Sequence, residues 1–369
     1  MVLSHSSKPP LYSIGCVITP HGFGHAARIT AIMEALSDMI PVHYTIITTV
    51  PRWFFEDSLC VDFTYIPFYS DIGLVQKSSL EIDFQATIHE LKTFYPPSPA
   101  ILNLLRKHIR GCDLVLCDIS PLGLLAAKEE SIPSVLIENF TWDWIYRAYI
   151  SQYPDFKHFA DYQKSIFDDA DFHIQTDPVC QPSLFALQTG PISRKTRTSP
   201  SQIRTHFHIP DEKKLVLITM GGIGKDQFLT TKLKDYPEVV FLAPGLSEQN
   251  QVIQDNLILL PKDSGLHHPD LVEAADVVIG KTGYSTLAEI YNGGVVWGYI
   301  SRNDFPESLI LSNFITNNMS GLEISVKAFH SGTWVEELPS LLRLPGHNPA
   351  NRNGSQDGAR FITAILSAL

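Results

Sequence analysis

The sequence predicts an α/β fold of two Rossmann-like β/α/β domains facing each other across a cleft. Three observations carry this. From Ile14 onward, short apolar runs alternate with helical patterns, which builds parallel sheets covered on both faces. The alternation stops between Pro178 and Pro200, a stretch with Pro182, Gly190 and Pro191 and little apolar periodicity, and restarts at Leu215. The first strand of each half runs into a glycine-rich loop, His21-Gly22-Phe23-Gly24-His25 in one and Gly221-Gly222-Ile223-Gly224 in the other.

In order, the first half has strands at Ile14–Thr19, Tyr44–Thr48, Phe63–Ile66, Leu114–Cys117, Ser134–Ile137 and Phe172–Gln175. The first is followed by a helix with Ile29, Ile32, Met33 and Leu36 on one side. Residues 83–110 are mainly helical but broken by Pro96, Pro97 and Pro99. A helix spans Leu122–Glu130, and aromatic-rich helices span Trp144–Ser151 and Phe156–Asp168. The second half has strands at Leu215–Thr219, Val239–Leu242, Leu257–Leu260, Val277–Ile279 and Val295–Tyr299, a helix containing Leu271–Ala274, and a last helix at Ala359–Leu366. This divides the chain into domains 1–188 and 189–350, with 351–369 ending in a helix free to return to the first domain. Ligands of open α/β sheets bind at the carboxyl ends of strands, and here two such edges meet at the cleft.

The chain of 369 residues suits two domains, and 44% hydrophobic with 18% charged residues is a globular composition. A net charge of -11 argues against nucleic-acid binding, which draws its affinity from a basic face. The basic cluster Arg194, Lys195, Arg197 and Arg204 reads as a solvated part of the linker. Five cysteines form no CxxC pair and no metal-ligand spacing, which points to a reducing, cytoplasmic home. No run is long enough to span a bilayer, and peripheral membrane contact stays open.

The stretch VVIGKTGYSTLAE, Val277 to Glu289, carries the strongest chemical signal. A buried strand, a turn holding Gly280 and Gly283, and a helix start with Ser285 or Thr286 in its first turn make an anion site from free backbone N–H groups and the helix dipole. Glu289, one turn further on, is placed to accept hydrogen bonds from a diol, and a phosphate beside a diol suggests a nucleotide. The 21–25 loop offers two histidines, His21 and His25, flanking Gly22 and Gly24. Histidine can take a proton near neutral pH, although a glycine loop is equally a tight strand-helix turn. No carboxylate or cysteine nearby in sequence completes a metal site, so none is expected. The second loop is not a phosphate loop of GxxxxGK[ST] type, because Asp226 follows Lys225. Trp142 and Asp143, after the fifth strand, and Asp304 and Glu307, after the strand at 295–299, combine rings and carboxylates that suit a sugar or acceptor. An aromatic core cluster and a solvated loop are the competing explanations.

Taken together, HGFGH, GGIG and GKTGYSTLAE resemble the GT-B glycosyltransferases, notably the group of the peptidoglycan N-acetylglucosaminyltransferase. DLVLCDISPLGLLAAKEESIPSVLIENFTWDWIY and DVVIGKTGYSTLAEI are similar to the glycosyltransferase-like half of plant L-arabinokinases, with no kinase half following. The resemblance covers about Ile14 to Glu307. It implies a GT-B fold with a nucleotide-sugar, commonly UDP-linked, held mostly by the second domain. Glu289 would bind the ribose. Gly283, Ser285 and Thr286 would hold the diphosphate, and Gly221 and Gly222 would line the cleft. Lys281 stands where several relatives have a small residue and would add a charge beside the phosphates or point away. His25, or alternatively His21, would be the base. The implied reaction is inverting sugar transfer to an unknown acceptor hydroxyl, with no metal and no cofactor beyond the nucleotide-sugar substrate. A non-catalytic nucleotide-sugar-binding module and a nucleotide-sugar epimerase on the same fold are the alternatives.

Overall fold

The computed structural model describes residues 11–369 apart from 79, 185, 221–230, 248–250, 255 and 350–352. The first half runs β1 (Tyr12–Ile18), α1 (Gly24–Ser37), β2 (Val42–Thr48), α2 (Arg52–Glu56), β3 (Phe63–Pro67), β4 (Gln76–Ser78), β5 (Glu81–Ile82), α3 (Phe84–Phe94), α4 (Pro99–Ile109), β6 (Leu114–Asp118), α5 (Pro121–Glu130), β7 (Ser134–Glu138), α6 (Trp142–Arg147), α7 (Phe156–Phe167), β8 (Phe172–Thr176) and β9 (Leu187–Thr189). The second runs α8 (Pro200–His206), β10 (Lys214–Thr219), β11 (Val239–Ser247), β12 (Gln251–Gln254), β13 (Leu257–Pro261), α9 (His268–Ala274), β14 (Val277–Lys281), α10 (Tyr284–Gly293), β15 (Val296–Ile300), α11 (Pro306–Asn318), β16 (Gly321–Glu323), α12 (Val326–Ser331), α13 (Leu338–Leu341) and α14 (Ser355–Ala368).

The first sheet has the order β3-β2-β1-β6-β7-β8-β9 and the second β12-β13-β11-β10-β14-β15-β16. Both are parallel, except that β12 pairs antiparallel at its edge. Strand order reverses between β1 and β6 in one sheet and between β10 and β14 in the other, and it is beyond the carboxyl ends of such pairs that ligands bind. Near those ends lie His25 in the first turn of α1, Asp118 as the last residue of β6 and Lys281 as the last residue of β14.

Local chemistry accounts for the breaks. Pro99 occupies the first turn of α4, where its missing N–H costs nothing, and the Ser98 hydroxyl accepts from the Ile101 amide at 3.3 Å. A full capping box, Ser199 with Gln202, starts α8. Each sheet is sandwiched between two apolar clusters. Ala359, Ile362, Ile365 and Leu366 of α14 share a core with Ile29, Ile32 and Met33 of α1, so the last helix lies on the first half. Each such Leu or Ile contributes about 1.5–3 kcal/mol on burial.

The stretch from Pro178 to Pro200 departs from the expected linker. It contains β9, a seventh strand of the first sheet, paired Ile174–Leu187 to Thr176–Thr189. Pro191, Ile192, Ser193 and Arg194 are then buried between the halves. The Ile192 amide donates to Tyr284 Oη at 2.9 Å, and Asn292 Nδ2 donates to Pro191 O at 3.1 Å and Ser193 Oγ at 3.0 Å. These bonds satisfy backbone groups that a free linker would leave to water.

Candidate active site

Two helix N-termini, one from each half, oppose each other across the cleft. On the second half, Gly283 precedes α10 in an extended conformation (φ -161°), and Tyr284, Ser285 and Thr286 of the first turn line the cavity. On the first half, Gly22 adopts φ 76°, a left-handed turn that glycine alone makes cheaply, and brings the chain into α1. The helices meet so closely that a Cβ on Gly24 would lie 3.5 Å from Ser285 Oγ. Each terminus carries roughly half a positive charge. His21, Gly22, Gly24, His25, Lys281, Gly283, Ser285, Thr286, Arg302 and Glu307 all line this lobe, a cavity of about 80 Å³. Gly280 belongs to strand β14 and not to the expected turn. A Cβ there would lie 2.3 Å from Thr219 O, so this glycine allows β10 and β14 to approach. Gly221 and Gly222 lie outside the described residues.

His25 is 7% exposed, and its Nδ1 lies 2.8 Å from Asp118 Oδ1 at the end of β6. A carboxylate only accepts, so Nδ1 is the nitrogen that donates to it, and Arg28 Nη2 lies 3.2 Å from the same nitrogen. Arg28, three residues along the same helix, donates to both oxygens of Asp118, from Nε at 2.8 Å and from Nη2 at 2.6 Å. Its Nη1 donates to Asn139 Oδ1 at 2.6 Å, and Asn139 Nδ2 donates to Glu307 Oε1 at 3.0 Å across the cleft. Burial would raise the pKa of Asp118; the Arg28 guanidinium and then His25 reverse this and hold it below the usual carboxylate range.

His21 sits differently. Its ring meets Trp142 edge-on at 5.1 Å, and Gln76 Nε2 lies 3.4 Å from its Nε2. Burial, followed by His25, Arg302 and Lys281, holds its pKa well below the usual histidine range, so the ring is neutral. No carboxylate orients it among the described contacts.

Beyond Ser285 and Thr286 the cleft continues into a second lobe of about 140 Å³, lined by Trp53, Phe54, Arg194, Thr219, Gly245, His268 and Glu289. Glu289 is 6% exposed, and its oxygens stand against protein groups, Arg194 Nη2 at 3.1 Å and His268 Nδ1 at 2.6 Å. Burial alone would raise its pKa; His268 first, then Arg194, hold it down at about 2. Arg194, expected as a solvated linker charge, is buried, with its guanidinium 4.6 Å above the Phe54 ring and Nη1 3.2 Å from Ser58 Oγ.

The four expected sugar or acceptor residues separate. Trp142 is fully buried behind His21, stacked on Tyr146, and is unavailable to a sugar. Its helix presents Trp142, Ile145 and Tyr146 at helical spacing to the core. Asp143 lines a separate cavity of about 500 Å³ in the first half, with Glu138, Lys164 and His173. Asp304 is exposed, and its backbone carbonyl accepts from the Tyr149 hydroxyl. Glu307 does reach the cleft, 3% exposed, with Arg302 Nη2 at 3.6 Å from its Oε2. Reasoning from sequence missed Asp118, Arg28, Arg194 and His268. The spacing of His25 and Arg28, which puts both on one helix face, and an aspartate closing the apolar run before it were the available signals.

Among the described residues no group of three or more His, Cys, Asp or Glu could hold a metal ion, and no helix is long and apolar enough to cross a membrane.

This architecture recurs in solved structures at low identity. The glycosyltransferase SnogD from Streptomyces nogalater superposes with a TM-score of 0.55 at 13% identity, over 97% of this chain and 95% of that one. The fold is that of the GT-B glycosyltransferases. UGT89C1 of Arabidopsis thaliana complexed with UDP gives a TM-score of 0.60 at 12% identity, over 97% and 100% of the two chains. A putative UDP-N-acetylglucosamine 2-epimerase from Listeria monocytogenes gives 0.54 at 10%, over 97% and 96%. In sequence, the chain is 27% identical to the L-arabinokinase of Arabidopsis thaliana over 98% of its own length. It spans only 35% of that relative. No family model matches the chain.

Proposed function

We propose that this protein transfers a sugar from a nucleotide-sugar, in our reading UDP-linked, to an acceptor hydroxyl. The observation that carries the proposal is the His25–Asp118 pair at the N-terminus of α1, standing opposite the N-terminus of α10. The diphosphate lies against the α10 amides with Lys281 beside it, and the nucleoside occupies the lobe of Glu289. His25 Nε2 takes the acceptor proton as the acceptor oxygen attacks the anomeric carbon. The bond from that carbon to the diphosphate oxygen breaks, and the leaving charge is met by backbone N–H groups and Lys281. Asp118 keeps the imidazole in the working tautomer and stabilises it once charged. A single displacement of this kind inverts the anomeric centre. Both lobes together are smaller than the roughly 300–1,000 Å³ of typical ligand pockets, so the halves part to admit the donor and close to exclude water.

The test is nucleotide release from a panel of UDP-, GDP- and TDP-sugars, with and without acceptor alcohols and with chelator in parallel. The likeness to L-arabinokinase puts UDP-arabinose on that panel. His25→Ala and Asp118→Asn are expected to slow acceptor-dependent release by about 10²–10⁴-fold while UDP still binds. Unchanged release in His25→Ala sinks the assigned base. Binding without turnover on every acceptor would favour a binding module, and a new sugar nucleotide formed without acceptor would favour an epimerase.

A further inference from the structure

We propose that Arg28 is a positioning residue that balances the charge of Asp118, so that Asp118 orients His25 without charging it. The inference rests on the reading of His25 as the base. A base must keep its Nε2 lone pair, yet Nδ1 of His25 stands 2.8 Å from an ionised carboxylate in a buried site, with Arg28 Nη2 at 3.2 Å from the same nitrogen. Left alone, such a carboxylate draws a proton onto the imidazole, an effect of about 1–3 pKa units at this range. The guanidinium removes that drive. Arg28 is 1% exposed and Asp118 0%, and two parallel N–H···O bonds of 2.8 and 2.6 Å join them. The pair is electrically neutral as a unit, and the Nδ1 contact survives as a hydrogen bond.

The arginine is itself held from three sides. Asn139 accepts from Nη1, the Tyr284 ring lies 5.0 Å from the guanidinium carbon, and the helix carrying His25 supplies the backbone. Asn139 is in turn held by Glu307, so the clamp is finished by the second half. Other charged or titratable groups facing this cluster are His21 from the loop, Cys117 from β6, Glu138 from β7, Cys180 beyond β8, Tyr284 from α10, Lys281 from β14 and Arg302.

The experiment follows the imidazole signals of the full chain, ¹⁵N-labelled in its histidines, through a pH titration, with His25 assigned by its loss in His25→Gln. Arg28→Met is expected to move the His25 midpoint up by about one unit or more relative to the parent. The acid limb of the transfer profile should move with it, so that activity returns at higher pH. Asp118→Asn should move the midpoint down, and the double variant should lie between. A merely structural arginine would lower activity at every pH and leave the midpoint in place. An unmoved midpoint in folded Arg28→Met overturns the proposal. If that variant does not fold, the comparison of Asp118→Asn with the double variant decides, because adding Arg28→Met must raise the midpoint there too. The titration needs no transfer assay. Shifted midpoints with no His25-dependent transfer would discredit the base and leave the charge balance standing. Unmoved midpoints with His25-dependent transfer would do the reverse.

Discussion

Glu289→Gln separates two roles that a simple loss of donor affinity would confuse. In the folded chain the Glu289 carboxylate joins Arg194 from the inter-domain segment to His268 at the start of α9. Its pKa falls from 4.5 to about 2, and a drop of that size corresponds to about 3 kcal/mol carried by the ionised form. Because the folded value lies below the unfolded one, that stability is complete above pH 4.5 and is lost as pH falls through about 2. The glutamine keeps the shape and one acceptor but leaves the buried Arg194 facing a neutral amide. Urea denaturation at neutral pH is expected to show a loss of about 2–3 kcal/mol, closing as the pH is lowered from about 5 to about 2. A loss below about 1 kcal/mol, or one that stays constant with pH, refutes the account of Glu289 as the buried charge that pairs with Arg194. Ribose contact is read separately, by comparing UDP with 2′-deoxy-UDP. The parent should discriminate between them and the variant should not.

Asp71 predicts the opposite pH trend. It is fully buried and accepts from Tyr95 Oη at 2.7 Å, the Ile72 amide at 2.8 Å and Thr19 Oγ1 at 3.0 Å, yet burial still lifts its pKa from 3.8 to about 6. Its contribution is therefore present below 3.8 and lost as pH rises through about 6, so Asp71→Asn should gain about 2–3 kcal/mol on the parent between about pH 4 and 8. A denaturation difference that does not change with pH would refute this. Gly280→Ala should cost about 1–3 kcal/mol and weaken nucleotide binding, because its Cβ would press on Thr219 O and shift the strand that ends in Lys281. Gly283→Ala, with extended φ and open space around its Cβ, is the control for stability alone, and an equal loss in denaturation would contradict the reading.

Local pattern carried the sequence reading as far as element type and order. Strands such as Leu114–Asp118 and Val277–Lys281 are buried on both faces, so they appear as unbroken apolar runs between helices. The helix start at Ser285 and Thr286 was legible for the same reason, being made by one strand, one turn and one helix that are contiguous in the chain. Pattern misled where burial is decided from outside the segment. The aromatic run at 140–146 looks like a sugar platform, but Phe156 of α7 and Gly73 before β4 lie against it, and Trp142 becomes core. The proline-rich stretch at 178–200 looks like a hinge, but α10 and the residues before α14 fill its hydrogen bonds.

The sequence by itself determined two α/β halves, a helix N-terminus entered through a glycine turn, and a pair of histidines at the mouth of the first sheet. Which histidine has a carboxylate, and what Glu289 touches, belonged to the tertiary structure. Asp118 lies 93 residues from His25, and Arg194 lies 95 from Glu289. Backbone signals are local because peptide dihedrals and hydrophobic period act over a few residues. The pairing of buried charges depends on which strand ends and helix starts the folded sheets bring within 3 Å of each other.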